Sequence, residues 1–313
     1  MKRVLITGAQ GFIGQHLARK LSQSGNLVAG LGHGDWSKDD SLENGITFWV
    51  KGNVTIDNLD IASSLLGGID TVFHLAGGSS VGPSLLYPKE DFQRSVISAL
   101  ELLEWVRISS RGTGLVLASS AAVYGGGYSE PIHVDGVTSP KSPYGFHKRM
   151  AEQLFESYAY SFGIKTTVVR LFSVYGPGLK KQLLWDICER LKNNSEQLQL
   201  GGTGNELRDW IHVNDATNIL SFAAHGAAIN CPYLNGGTGI ATSVRDIASH
   251  LCKLWGNAVE LKFTQVVRNG DPKYVVADMS NEIYSEISPR LHWQAGISDY
   301  VLWYKKNLTG YKS

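Results

Sequence analysis

What the sequence lacks narrows it first. Three cysteines among 313 residues, Cys188, Cys231 and Cys252, are odd in number, scattered and outside any metal-type spacing. They exclude a disulfide framework and a cysteine-ligated zinc site, and a reducing cytoplasm is the expected compartment. No apolar run approaches the ~20 residues that span a bilayer. The amino-terminal Lys2-Arg3 leads into a short apolar run and not into a signal-peptide core. Charge of one sign is missing as well: 29 Lys and Arg stand against 28 Asp and Glu, so no field gathers nucleic acid or an anionic membrane. No metal site, internal repeat or low-complexity segment is expected.

What is present is alternation. Short β-branched runs, Val4-Leu5-Ile6, Leu27 to Leu31, Ile46 to Val50, Thr71 to Leu75, Leu115 to Ala118 and Thr166 to Leu171, are separated by helical patterns. Such alternation predicts βαβ units and a doubly wound parallel α/β sheet. Beyond Leu171 the stretches GPGLKKQ, GGTGNELRDW and NGGTGIATS read as loops around shorter elements of a smaller carboxyl-terminal substrate lobe. The expected division is residues 1–172 with 209–240 for dinucleotide binding, and 173–208 with 241–313 for the substrate.

The opening, MKRVLITGAQGFIGQHL, sets Gly8, Gly11 and Gly14 three residues apart between the first strand and the first helix. There Gly8 permits a tight turn, Gly11 lets a pyrophosphate approach the backbone, and Gly14 lets helix and strand pack closely. Such a domain usually ends its second strand in an acid that binds the adenosine ribose. Here the strand runs into Gly32-His33-Gly34. A glycine leaves room for a 2′-phosphate that His33, Lys38 or Arg3 could partner, so NADP is favoured over NAD. The alternative is that Asp35 swings back to do the acid's work.

A second constellation lies in LVLASSAAVYG and SPYGFHKRMAEQLF. Tyr144 and Lys148 stand four apart on a helix that Ser142 can cap and Pro143 can open, so phenol and ammonium share a face. A cation at about 4 Å in an effective dielectric near ~20 is worth ~4 kcal/mol, which lowers a phenol by ~3 units from its usual ~10. Proton exchange near neutrality is the expectation. Ser120 adds a hydroxyl at a strand's carboxyl end, where open parallel sheets bind ligands. His74 is expected to be a satisfied interior histidine, His147 an exposed helix residue, and the tryptophans packing.

At this point the chain resembles the extended short-chain dehydrogenases, a family of nucleotide-sugar epimerases, dehydratases and ketoreductases. The resemblance rests on TGAQGFIG, HLAGGSSVG, SSAAVYG, YGFHK, RLFSVYGPG and RDWIHVND, in family order over essentially the whole chain. It implies a Rossmann sheet binding NAD(P), with a second lobe over a nucleotide-diphosphate sugar. Tyr144 would be the acid/base, Lys148 would hold the nicotinamide ribose and tune the tyrosine, and Ser120 would bind the sugar's reacting oxygen. It places Gly8, Gly11, Phe12, Ile13 and Gly14 on the pyrophosphate loop and Asn53 and Val54 beside adenine, while the end of the second strand itself sets Gly32 and His33 at the ribose. Leu75, Ala76, Gly77 and Phe172 face the cofactor. Ser79 and Ser173 line the sugar, and Arg208 and Arg268 take the diphosphate.

Departures narrow the reaction. The acidic pair of family dehydratases is replaced by Ala121 and Ala122. Ser79 falls near the lysine, and Ser173 on the asparagine, that standard UDP-sugar epimerases carry. The implied activity is NADPH-dependent reduction of a nucleotide-linked 4-keto-6-deoxyhexose, dTDP-linked, in deoxysugar and lipopolysaccharide precursor synthesis. The alternatives are an NAD-dependent 4-epimerase and a non-catalytic nucleotide-binding regulator. A cytoplasmic homodimer, through the helices carrying Leu100–Leu103 and Tyr144–Leu154, is implied by the resemblance alone.

Overall fold

The computed structural model describes residues 1–193, 197–256, 259–266, 272–287 and 290–309. Two compact units divide the chain. The first is Met1–Gly125, Val134–Leu171 and Ala216–Gly236; the second is Gly126–His133, Phe172–Asp215 and Gly237–Ser313.

The first unit is built on a parallel sheet of seven strands. Six of them, β1 (Arg3–Thr7), β2 (Leu27–Gly32), β3 (Phe48–Lys51), β4 (Thr71–His74), β5 (Gly114–Ser120) and β6 (Thr166–Leu171), fall on the six apolar runs. The seventh, Tyr233–Gly236, adds to the edge beside β6. The order across the sheet is Tyr233–Gly236, β6, β5, β4, β1, β2, β3. Chain order reverses between β1 and β4, and the loops leaving those two neighbours open the crevice where such sheets bind ligands. Helices cover the sheet. One face holds a continuous core of Leu5, Leu31, Leu59, Val72, Leu102, Leu103, Trp105, Leu117 and Phe155.

In the second unit, strand Leu207–His212 pairs with Ser173–Tyr175, Ala241–Ser243 and Tyr274–Val275. The stretches GGTGNELRDW and NGGTGIATS, expected to be loops, therefore each contribute strand residues. The pattern hid the short strands because two to four residues show too little alternation to register, and Leu207–His212 because it buries an acid, Asp209, where alternation calls for an apolar residue. Inside this unit Asp209 is buried and accepts from the backbone N–H groups of Thr238, Gly239 and Ala277 and from the Thr238 hydroxyl. No helix among the described residues is long and apolar enough to cross a membrane.

One buried ion pair locks the longest helix, Pro143–Phe162, to the first unit's sheet. Glu152, fully buried on that helix, accepts both Nε (3.0 Å) and Nη2 (2.9 Å) of Arg170 on β6, and the Ser119 hydroxyl on β5 at 2.6 Å. Arg170 Nη1 also donates to the Tyr124 hydroxyl and the Val134 carbonyl. Burial opposes the guanidinium's charge, but the hydrogen bonds and charge of Glu152 hold its pKa above the ordinary value. Glu152→Gln leaves that cation uncompensated in the core. The expected loss is about 3–5 kcal/mol, measured by urea unfolding as a lower midpoint at unchanged slope; a midpoint equal to the parent's contradicts this role.

Candidate active site

The glycine loop has the geometry its spacing implies. Gly8 lies at φ +71°, and a Cβ there would meet Ala76 N at 2.8 Å and Leu75 C at 2.9 Å. The turn thus needs both the left-handed backbone and the close approach to the end of β4. A Cβ on Gly14 would meet Gly8 O at 2.5 Å, so the helix Phe12–Gln23 packs directly on the loop. Gly11 is exposed and begins that helix without a side-chain cap. The loop is a bare backbone cradle leading into a helix amino terminus, with Phe12 and Ile13 in its first turn, and it fits a pyrophosphate. Beside it Leu75 N donates to Thr7 O, and Ala76 N to the Thr7 hydroxyl.

At the end of β2 the structure corrects the sequence reading. The space a Cβ on Gly32 would take is filled by Trp49, whose Cη2 would lie 2.9 Å away. Glycine here admits an indole and does not leave an open recess. Trp49 Nε1 donates to Gly34 O, and the ring packs on Trp36 at 5.0 Å between centroids. His33 and Lys38 are exposed near this strand end. Arg3 is excluded as a phosphate partner. It sits at the opposite, amino end of β1, ion-paired to Asp70 at 2.6 Å and donating to Gly67 O. Asp35 is exposed and paired with Lys51, which stands opposite Gly32 in the register of β2 and β3. Asn53 is exposed, its carbonyl accepting Asn58 Nδ2 at 2.9 Å, while Val54 packs against the core.

Ser120, Tyr144 and Lys148 come together. Ser142 caps the helix by accepting Gly145 N at 3.2 Å, and Pro143 opens it. Ser84 accepts Tyr144 N at 3.1 Å. A Cβ on Gly145 would meet Ala122 O at 2.7 Å, so the helix start presses on the turn leaving β5. That turn begins at Ser120, whose hydroxyl accepts Ala122 N at 3.2 Å and neighbours the Tyr144 phenol. Lys148, 5% exposed, donates from Nζ to Ala118 O at 2.9 Å.

The electrostatics run against the sequence expectation. Lys148 Nζ lies 6.0 Å from the Tyr144 ring centroid. Burial pushes the phenol above its ordinary value; the nearby Ser120 hydroxyl opposes it without reversing the sign, and the charge of Asp91 adds a smaller push upward. Tyr144 is a neutral phenol across physiological pH in the free protein. Burial brings Lys148 down to about 8, with Asp91 and Glu152 resisting.

His147 is a second correction. It is not an exposed helix residue: its side chain is 12% exposed, and Nδ1 meets Asp91 Oδ2 at 2.6 Å. His74 is interior and satisfied, its ring nitrogens meeting the hydroxyls of Thr7 (2.9 Å) and Ser98 (3.3 Å). Glu152 could have been found in the sequence, because Tyr144, Lys148 and Glu152 repeat at i, i+4 and i+8 on one helix face. Asp91 had no such signal.

Of the remaining candidates, Gly77 lies at φ +149° against Lys148 Nζ, 3.1 Å from an added Cβ, and Ser79 is exposed in the following loop. Phe172, Ser173 and Arg208 belong to the second unit. There Phe172 is buried, Ser173 pairs in register with Trp210, and Arg208 is half-buried on its strand with Nη1 donating to Leu207 O. Arg268 lies outside the described residues.

A doubly wound sheet, a glycine cradle at its switch point and a Ser-Tyr-Lys cluster at the end of β5 define an oxidoreductase-type dinucleotide enzyme. The chain belongs to the NAD dependent epimerase/dehydratase family, whose model matches residues 4–230. A UDP-glucose 4-epimerase of Azospirillum brasilense is 28% identical over 303 residues, 88% of this chain and 83% of its own length. Among solved structures, the UDP-glucose 4-epimerase of Thermotoga maritima with UDP-glucose is similar at TM-score 0.86 and 26% identity, over 98% of this chain and 99% of that one. MoeE5 in complex with UDP-glucuronic acid and NAD is similar at TM-score 0.84 and 29% identity, over 97% and 99%.

His74 makes a pH prediction. Burial, then the charge of Lys148, lower it from 6.5 to about 3. Between those values the unfolded chain binds a proton that the folded protein refuses, so stability is full above pH 6.5 and declines as pH falls toward 3. In urea unfolding between pH 6 and 4, the His74→Gln variant should show a pH slope shallower than the parent by about one proton. Equal slopes would mean that His74 takes its proton in the folded state.

Proposed function

We propose that the protein reduces the 4-keto group of a nucleotide-linked 4-keto-6-deoxyhexose, with NADPH as the hydride source. The observation that carries this is the Ser120 hydroxyl and the Tyr144 phenol side by side, with the buried Lys148 ammonium 6.0 Å from the phenol ring and the phenol held in its protonated form. The dinucleotide, when bound, supplies the hydride. Gly8, Gly11 and Gly14, with the first turn of helix Phe12–Gln23, would hold its pyrophosphate, and Lys148 its nicotinamide ribose.

The chain's own groups then have separate tasks. Tyr144 gives its proton to the oxygen that becomes an alkoxide as C4 is reduced, and Ser120 donates a hydrogen bond to the same oxygen. The ammonium of Lys148 favours the phenolate left behind. Orientation by the Ser142 cap, Ser84 and the Gly145 contact sets the phenol before substrate arrives, so part of the barrier is removed in advance. Ala121 and Ala122, where family dehydratases carry acids, offer no group for a second proton transfer. Arg208 would bind the diphosphate, its guanidinium fork matching phosphate oxygens.

The choice of NADPH rests on the residue that ends β2, which is Gly32 and not an acid. His33 and Lys38 would supply the charge for a 2′-phosphate. A second reading, an NAD-dependent 4-epimerase of a UDP-sugar, is favoured by the relatives, which include UDP-glucose 4-epimerases. The same three residues would serve it in both directions.

Tyr144→Phe should slow single-turnover hydride transfer by roughly 10²–10⁴-fold with dinucleotide affinity nearly unchanged. Parental turnover in that variant removes Tyr144 from the chemistry, and no hydride transfer in the parent chain supports a non-catalytic regulator. Arg208→Ala should weaken binding of a free nucleoside diphosphate by roughly 10-fold or more, as loss of a charge-assisted bond worth about 1.5–3 kcal/mol requires. Titration calorimetry showing equal affinity removes Arg208 from the diphosphate site.

A further inference from the structure

Asp91 and His147 form a nearly dry pair that the mechanism above does not use. Asp91 sits on the short helix Pro88–Phe92, which packs against helix Pro143–Phe162. The two side chains are 6% and 12% exposed and meet at 2.6 Å. The carboxylate can only accept, so Nδ1 of His147 carries the proton between them. Phe92 lies edge-on to the imidazole at 5.4 Å and walls the pair.

The loop leaving β4 shows where this carboxylate stands. A Cβ added to Gly77 would lie 3.1 Å from Lys148 Nζ, and a Cβ added to the next residue, Gly78, would overlap Asp91 Oδ1. Two consecutive glycines thus have the ammonium beside one and the carboxylate beside the other. Gly78 N donates to the Ser95 hydroxyl at 2.9 Å, which fixes the loop against the segment that follows Asp91.

Lys148 needs such a neighbour. It is buried, and its hydrogen bond to Ala118 O brings no opposite charge. The other carboxylate close to it, Glu152, is occupied by Arg170, Arg149 and Ser119. The remaining ionisable groups nearby do not take this role: His74 on β4 is neutral, while Glu90 and Arg94 pair with each other at the surface at 3.4 Å. Lys89 is exposed, and the helix Val81–Leu86 and strand β5 carry no charge.

We infer that Asp91 is a positioning residue of this site: clamped by His147, its carboxylate is the counter-charge that keeps Lys148 an ammonium and adds to the burial that keeps Tyr144 a phenol. The sign is the same for both groups, because a nearby negative charge favours a cation and disfavours a second anion. The charge of Asp91 raises both. The pair is thereby loaded to deliver a proton, the direction a reduction requires. This inference rests on the proposed roles of Tyr144 and Lys148, but the charge it assigns to Lys148 can be measured without them.

The test is Asp91→Asn, which removes the charge and keeps an acceptor for His147. In protein carrying ¹³C-labelled lysine, with the Lys148 signal assigned by its loss in Lys148→Met, the Lys148 titration midpoint should fall by about one pH unit or more. In turnover assays the basic limb of the kcat profile should move to lower pH, while KM for the nucleotide sugar stays within about twofold. Gly78→Ala, which displaces the carboxylate without changing any charge, should lower the midpoint in the same direction and serves if the amide variant does not fold. A Lys148 midpoint unmoved in either folded variant overturns the inference. A midpoint that falls, together with parental turnover in Tyr144→Phe, keeps the counter-charge and rejects the catalytic reading instead.

Discussion

A fully buried carboxylate, Glu152, governs where the chemistry of the first unit can stand. It sits two helical turns beyond Tyr144 and takes a two-pronged grip from Arg170 on β6 together with the Ser119 hydroxyl on β5. Breaking such a pair from one side is costly, because the surviving charge has no water to turn to. The helix is thereby fixed in rotation as well as position, and the rotation decides that Tyr144 meets Ser120 and that Lys148 points into the sheet's end. Ser119 and Ser120 divide the work at the end of one strand: the first secures the helix, the second stands beside the phenol.

The amino end of the same helix is held by backbone contact and not by charge. Gly145 lies against the Ala122 carbonyl, Ser142 caps the first turn, and Ser84 takes the Tyr144 amide. Phenol, hydroxyl and ammonium are therefore placed by neighbours on two strands and two helices before any ligand arrives. The electrostatic bias then follows from burial and from Asp91. It leaves Tyr144 protonated in the free protein, so the phenol's readiness to give up its proton must come with the substrate and cofactor charges and not from Lys148 alone.

The parts legible in the sequence are those with a local geometric rule. Gly8 and Gly14 announce a turn and a close helix approach by spacing alone, and Tyr144 and Lys148 announce a shared face by a four-residue step. Six strands of the sheet were visible because buried parallel strands are continuous apolar runs. What was hidden depends on distant partners. Nothing near Gly32 says that Trp49, seventeen residues on, fills the space above it, and nothing in YGFHK says that His147 finds Asp91 fifty-six residues earlier. The depressed phenol expected from the Tyr-Lys step failed for a related reason: spacing gives a shared face, but burial and a carboxylate from another helix set the sign. The short strands of the second unit were lost among glycine-rich loops.

Net reduction at C4, as proposed, and reversible exchange of C4 configuration differ in what becomes of the reduced cofactor. The direct measurement supplies the purified protein with NADPH or NADH and a small panel of nucleotide-linked sugars and 4-keto-6-deoxy sugars. It follows the reduced-nicotinamide absorbance while the sugar products are identified. Under the proposed reduction a 4-keto substrate consumes that absorbance stoichiometrically, faster with NADPH than with NADH. Interconversion of C4 epimers of a nucleotide sugar, with no net change in absorbance, would contradict it.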